Sequence, residues 1–555
     1  MPRSRTARLA GLSAVAAAGL LALPGVASAS VNASVSGGKL TVTSNAGDAI
    51  TIVCDGTNVK VNTLDPGVAT ACSAITEIEV TGDAQANNIN LNGVTDELFT
   101  ALTSVQVAGG GSGDTIAGSE IQDTLTGGSG NDRIVGFRNA AGTRDSMAGG
   151  DGNDTLVWNP GDGDDTPEGG AGNDTVEVNG GGGGEQFEVK ASTTTGRVLF
   201  DRLGPSPIPG PFNLDIGTSE KLDFNGNGGD DTLNANGGAA GLNPFEIDAD
   251  GGDGNDIIQT GDAPDLLTGG AGNDRLVSFR SPAGTRDLVR GGDGDDTLAW
   301  NPGDGDDTMD GEAGSDTIEV NGGGGGEDFE VKPGALAGRV QFDRTGPSPP
   351  GPFNLDIGSS EELELNAGGG DDRITGAKGL KGLIVSTLNG DDDNDRITGT
   401  NAKDVLTGGK GFDVIRAADR SADQVECGRG IDLAIVDRRD SVRGCELVLG
   451  GLLRVKASGK SATAAGGEAA VDLRCVLSRK CNGKVKLVHG GKSLGGAKFR
   501  LTGGQAKTVR IKLNRRGKLL AAGASSKGAR VKLRIIARDS KGNGWRTTDP
   551  FRLKG

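Results

Sequence analysis

The nine residues Gly149 to Val157 read GGDGNDTLV, and near-copies return along the chain in a fixed phase. Three consecutive nonapeptides begin at Gly109, Gly118 and Gly127, the last reading GGSGNDRIV. Further copies begin at Gly169 (GGAGNDTVE), Gly251 (GGDGNDIIQ), Gly269 (GGAGNDRLV), Gly291 (GGDGDDTLA) and Gly408 (GGKGFDVIR). A segment repeated in phase must place equivalent side chains in equivalent positions, which is how a solenoid is built and a globule with one central core is not.

Each position of G-G-x-G-x-D-x-apolar-x has a physical role. Glycines permit positive φ and close backbone approach, the sixth-position Asp offers a hard anionic oxygen, and the eighth-position aliphatic residue turns inward from a short strand. Six residues turn and three extend, so two nonapeptides are expected to make one coil. Aspartates 18 apart then stack on one side: Asp114 with Asp132, Asp256 with Asp274, Asp395 with Asp413. Carboxylates stacked in this way repel unless neutralised. Carboxylate and bared carbonyl oxygens, with no Cys or His beside them, suit Ca²⁺ and not zinc. The candidate ligands are Asp114, Asp123, Asp132, Asp154, Asp165, Asp174, Asp231, Asp256, Asp265, Asp274, Asp296, Asp307, Asp316, Asp372, Asp395, Asp404 and Asp413. A phosphate loop would need a Lys and a following helix, and an EF-hand would need Gly at its sixth position and Glu at its twelfth; neither pattern occurs in these segments.

These nonapeptides resemble the haemolysin-type calcium-binding repeats of RTX proteins, whose signature is G-G-x-G-x-D-x-U-x. The resemblance covers 109–177, 226–234, 251–319, 367–375 and 390–416 and includes seven full matches to the pattern. It implies a parallel β-roll in which Ca²⁺ lies between successive turns, held by the sixth-position Asp and by turn carbonyls. RTX toxins usually carry a C-terminal export signal, whereas here the export signal reads as N-terminal, so the resemblance does not extend to type I secretion or pore formation.

A longer repeat overlies the short one. The stretch from Phe137 recurs from Phe279, offset by 142, and PFNLDIGTSEKL from Pro211 recurs as PFNLDIGSSEEL from Pro352, offset by 141. Each unit adds a five-glycine spacer (Gly180–Gly184, Gly322–Gly326) and strand-like EQFEVK and RVLFDR or EDFEVK and RVQFDR runs, expected to continue the sheet. Asp154 and Asp174 are 20 apart, as are Asp296 and Asp316, which calls for a register shift such as a bulge near Trp158 and Trp300. The insertions 136–148 and 278–290 are expected to break the ladder, with Phe137, Arg138 and Arg144 open to a ligand. The two tryptophans either stack on sugars or, as expected, pack against the loop.

Composition limits the alternatives. With Gly 100, Asp+Glu 75, no Tyr and a single His, there is little bulky apolar matter for compact cores. Charge is divided: residues 31–450 hold 28 Lys and Arg against 71 Asp and Glu, about −43, and residues 451–555 hold 26 against 4, about +22. Arg3, Arg5 and Arg8 precede an apolar run, Leu9 to Leu23, and Ala27-Ser28-Ala29, which reads as a signal peptide cleaved after Ala29; no later segment is apolar enough for a transmembrane anchor. In an exported chain the six cysteines are expected to pair locally as disulfides: Cys54 with Cys72, Cys427 with Cys445, Cys475 with Cys481.

The expected fold is all-β: a parallel β-roll or β-solenoid, a strand-rich N-terminal segment and a C-terminal antiparallel β-sandwich. The divisions are signal peptide 1–29, N-terminal β-rich segment 30–108, calcium-repeat units 109–250 and 251–389, last turns and disulfide cap 390–450, and a basic module 451–555 that looks like immunoglobulin-like modules ending many secreted bacterial proteins. The function read from these features is that of a secreted or noncovalently surface-associated calcium-binding structural protein, folding on calcium. The alternative is an adhesin that binds carbohydrate or anionic cell-envelope polymers through the insertion loops or the basic module; nucleic acid is not the expected partner. An enzyme is not expected: His489 stands in the basic module, and no G-x-S-x-G or zincin pattern appears.

Overall fold

The computed structural model describes residues 31–555 except 140–142, 205–211, 236–244, 283, 347–351, 438, 451–454, 476–479 and 539–543. The signal-peptide segment therefore lies outside the described residues.

From Asn32 to Gly450 the chain winds as a solenoid, laying alternate strands into two facing sheets. The first sheet, of 20 strands, takes Lys39–Thr43, Glu77–Thr81, Ser104–Gly111, Asp123–Ser129 and Arg144–Asp151 as successive parallel neighbours. The second takes Asn88–Gly93, Thr115–Ala117, Arg133–Val135, Thr155–Trp158 and Thr175–Asn179. Residues 32–93 are thus the first coils of the same solenoid.

The inward residue of each short strand stacks on its equivalent in the next coil. In the second sheet Ile116, Ile134, Leu156 and Val176 form one such column, all essentially inaccessible. Leu233, Ile258, Leu276, Leu298 and Ile318 form another. Each column buries one aliphatic side chain per strand, which is how a chain poor in large apolar residues still excludes water from a continuous core.

Each duplicated unit adds an antiparallel excursion. Gln186–Ala191, Arg197–Gly204 and Phe212–Gly217 pair antiparallel in series within the first sheet. Their counterparts Asp328–Pro333, Val340–Gly346 and Phe353–Gly358 do the same in the second. Among the described residues the repeat contains an odd number of strands, and equivalent segments fall on opposite faces: Arg144–Asp151 belongs to the first sheet and Asp287–Asp293 to the second.

Two sequence expectations are corrected. Thr155–Trp158 and Thr175–Asn179 pair in register from Thr155↔Thr175 to Trp158↔Val178, with no bulge at Trp158, and Thr297–Trp300 behaves likewise. The two extra residues are taken up by the turn that follows, where Trp158 Nε1 donates to the Gly163 carbonyl at 2.8 Å and Trp300 Nε1 to that of Gly305 at 3.0 Å. Both indoles are buried, stacked on Phe212 and Phe353 at 3.7 Å, as packing and not as a sugar platform. Within the duplicated units the register shifts lie instead at Gln186/Phe187 and Asp328/Phe329. Nor do the insertions break the ladder: the strands on either side of them stay paired, Arg133↔Thr155 and Arg275↔Thr297.

Residues 455–554 form an eight-stranded sheet whose pairings return on themselves: Glu468–Cys475 joins Ala506–Leu513, and Ser461–Ala465 joins both Glu468–Cys475 and, in parallel, Gly544–Lys554. One helix, Arg515–Ala522, is capped by Asn514, whose side chain accepts from Gly517 N. This module has its own buried core around Val471, Leu487, Ile511 and Leu533. The disulfides Cys54–Cys72, Cys427–Cys445 and Cys475–Cys481 are present.

Candidate metal centre

In GGDGNDTLV, Gly150 and Gly152 adopt φ of 120° and 140°. A Cβ at either would strike the carbonyl of the preceding coil, Gly128 or Gly130, so only glycine allows the turns to nest. Gly149 has a different reason: its Cβ would overlap both Asp154 Oδ2 and the carbonyl oxygen of Gly169 in the next coil. The first glycine leaves open the space where a carboxylate oxygen and a carbonyl oxygen converge, as also at Gly169, Gly251, Gly269, Gly291 and Gly408.

The aspartates themselves are joined by backbone donors. Asp114 N donates to Asp132 Oδ1 at 2.6 Å, Asp132 N to Asp154 Oδ1 at 2.8 Å and Asp154 N to Asp174 Oδ1 at 2.8 Å. A second series runs Asp231, Asp256, Asp274, Asp296, Asp316, and a third Asp372, Asp395, Asp413, each amide donating to the next Oδ1. Asp165 and Asp404 stand on the opposite edge of their coils, accepting from Asp145 N and from the Thr400 hydroxyl. Every one of these aspartates keeps its Oδ2 buried with no hydrogen-bond partner. Buried carboxylate oxygens without donors are costly, and a file of them at one-coil spacing compounds the cost by repulsion. Burial accordingly pushes Asp274 and Asp231 up to about 7 and Asp395 up to about 8, the neighbouring carboxylates adding to the rise.

Asp123, Asp265 and Asp307 are different. The Ser119 amide and hydroxyl occupy both oxygens of Asp123; Ile247 N and Gly261 N occupy those of Asp265; Asp287 N and the Ser278 hydroxyl reach Asp307. These three carboxylates offer no orphaned oxygen.

The structure also places acids in the ladders that the nonapeptide pattern does not reveal. Asp145 and Asp287, within the insertions, accept from Asp123 N at 2.7 Å and Asp265 N at 3.0 Å, and leave Oδ2 unpartnered. Asp432 accepts from Asp413 N at 3.0 Å and is likewise orphaned. Its segment, CGRGIDLAI, departs from the pattern only in its first residue. Asp145 and Asp287 carry the fainter signal of an Asp two residues before an inward side chain, Met147 or Val289.

Where the five-glycine spacers interrupt the pattern, glutamate replaces aspartate and arginine replaces the need for a bound cation. Glu185 N donates to Asp231 Oδ1 at 2.6 Å, and Arg202 Nε donates to Glu185 Oε1 at 2.7 Å. Glu327 N donates to Asp372 Oδ1 at 2.6 Å, with Arg344 Nε at 2.6 Å from Glu327 Oε1. Both pairs are almost wholly buried.

Eight segments, 108–136, 140–157, 160–183, 250–278, 284–299, 303–329, 364–379 and 386–415, match the family model described as RTX calcium-binding nonapeptide repeat (4 copies), about a third of the chain. The chain carries RTX calcium-binding nonapeptide repeats. No curated protein matches it. The matched repeats are of a calcium-binding kind and the solenoid they build is a β-roll; its orphaned Oδ2 atoms and open glycine cradles have the hard-oxygen chemistry that calcium requires. Among the described residues no helix is long and apolar enough to cross a membrane.

Proposed function

We propose that this is an exported structural protein whose solenoid is ordered by calcium, with the orphaned ladder aspartates and the first-glycine carbonyls as its ligands. The observation that carries the reading is the file of buried Oδ2 atoms lacking any donor. Bound calcium would supply the positive charge that the ladders lack. The protein's own contribution is positional: ladder amides hold each Oδ1, which aims Oδ2 at the carbonyl of the next coil. Cytosolic free calcium is low, so export would deliver the chain to the condition in which it folds. The role at a cell surface or matrix is mechanical rather than catalytic, a rigid spacer built of stacked coils.

Chelation followed by calcium titration tests this. Circular dichroism and small-angle scattering are expected to show gain of β structure and compaction on adding calcium. Magnesium is expected to act weakly, because it gives up its hydration shell reluctantly and demands near-octahedral geometry. A chelated protein with unchanged β content, compactness and melting temperature would refute the proposal.

A further inference from the structure

We infer that the C-terminal end of the solenoid holds an additional divalent-cation site, built from Asp404, Asp419 and Asp423, whose ligands are side-chain carboxylates and which lies partly beyond the recognised repeats. The matched segments end at 415, before Asp419 and Asp423. Asp404 opens the strand Asp404–Gly411, and Asp423 immediately precedes Gln424–Gly430, its parallel neighbour in the next coil. Pairing of these strands brings ligand oxygens of all three residues within 4.8 Å of one another.

In each carboxylate one oxygen is committed and the other is free. Asp404 Oδ1 accepts from the Thr400 hydroxyl at 2.7 Å, Asp423 Oδ1 from Asp404 N at 3.1 Å, and Asp419 Oδ1 from Ser421 N at 2.6 Å. Oδ2 of each is buried without a hydrogen-bond partner. Asp404 is 0% and Asp423 1% exposed, so bulk solvent does not reach these oxygens. Three convergent anionic oxygens held by separate donors form an oxygen-only cage suited to a hard dication.

The site differs in kind from the glycine ladders. Those place one carboxylate beside a carbonyl bared by glycine; here Ala418 and Asp419 stand where a nonapeptide such as that from Gly408 has two glycines, and Asp419 brings a third carboxylate. Asp419 is only partly buried, so the site opens toward solvent on its side. The strand that follows Asp423 carries Cys427, bonded to Cys445. A cation here ties the last recognised coil to the disulfide-bonded one.

The inference shares the calcium reading of the ladders, so its test must separate the two. Calcium stoichiometry by calorimetry and amide hydrogen exchange are measured on the full chain, for wild type, Asp419→Asn, Asp423→Asn and the ladder variant Asp274→Asn. Asp419→Asn and Asp423→Asn are each expected to bind one calcium fewer than wild type. Both are expected to lose at least tenfold of the calcium-induced protection in 419–430 while keeping that of 257–277; Asp274→Asn is expected to do the reverse. Wild-type stoichiometry and protection in both cap variants would overturn the site and leave the ladders standing. A wild-type chain that takes up no calcium would overturn both.

Discussion

Asp274 shows what a single ladder residue contributes. Its Oδ1 accepts from Asp256 N at 2.7 Å while Oδ2 has no partner, and the charges of Asp256 and Asp296 bear on it. Asp274→Asn keeps an acceptor and removes one charge. In chelator it is expected to raise the melting temperature by relieving repulsion. In calcium it is expected to lower it, one site at a hundredfold excess over Kd being worth roughly 2.7 kcal/mol. A change of the same sign in both conditions would count against calcium at this position. Proton linkage follows from the same atoms. The ordinary aspartate value is 3.8, whereas burial in the folded chain pushes Asp274 up to about 7 and Asp395 up to about 8. Between those values the folded chain holds protons that the unfolded chain has lost. These two groups therefore stabilise the metal-free fold fully below about pH 4, and their contribution is lost as pH rises through 7 to 8. Calcium binds the ionised form, so its stabilising effect grows over the same range. Melting curves in chelator and in calcium from pH 4.5 to 8.5 check both slopes.

At the scale of the element, the junction between ladders is a self-neutralised unit. Arg344 and Glu327 are each 3% exposed, and Glu327 also accepts from Gly323 N at 2.7 Å and donates its own amide to Asp372. Removing the cation strands the glutamate. Arg344→Met is expected to cost about 3–5 kcal/mol in denaturant unfolding of the calcium-loaded chain, and raising calcium further is not expected to restore it, because the lost charge was supplied by the chain. The double variant Arg344→Met, Glu327→Gln is expected to recover much of that loss; a single variant rescued by added calcium would contradict this account. The five-glycine spacer advertises a junction in the sequence. Its arginine partner does not, since Arg344 lies 17 residues from Glu327 and meets it only when the antiparallel strand folds back.

The whole molecule joins an acidic solenoid to a basic module. The module exposes Lys484, Lys486, Lys498, Arg500, Lys507 and Arg510 on strands whose alternate residues are buried. This exposed charge supports a second role, contact with an anionic envelope polymer. The full chain is then expected to be retained on an anionic resin and to elute with modest salt, since exposed charges are screened within about 10 Å at 0.1 M. Deleting 451–555 is expected to abolish retention. Retention that ignores salt, or survives the deletion, would exclude this electrostatic contact.

The nine-residue period, the phase of Asp and of the inward aliphatic residue, and the duplication are local properties. They were legible because a repeat must use the same turn chemistry each time: GGDGNDTLV alone implies the cradle, the carboxylate and the short strand. What tertiary structure decided depends on parity and on distant partners. An odd number of strands per unit sends equivalent segments to opposite sheets, and no local pattern carries that count. Whether an aspartate keeps a free oxygen depends on its neighbours in space. Asp123 is satisfied by Ser119, Asp132 is not, and Asp419 joins Asp404 only because two coils stack. The ladder runs unbroken past Trp158 because the following turn absorbs two residues more cheaply than a parallel sheet gives up its register.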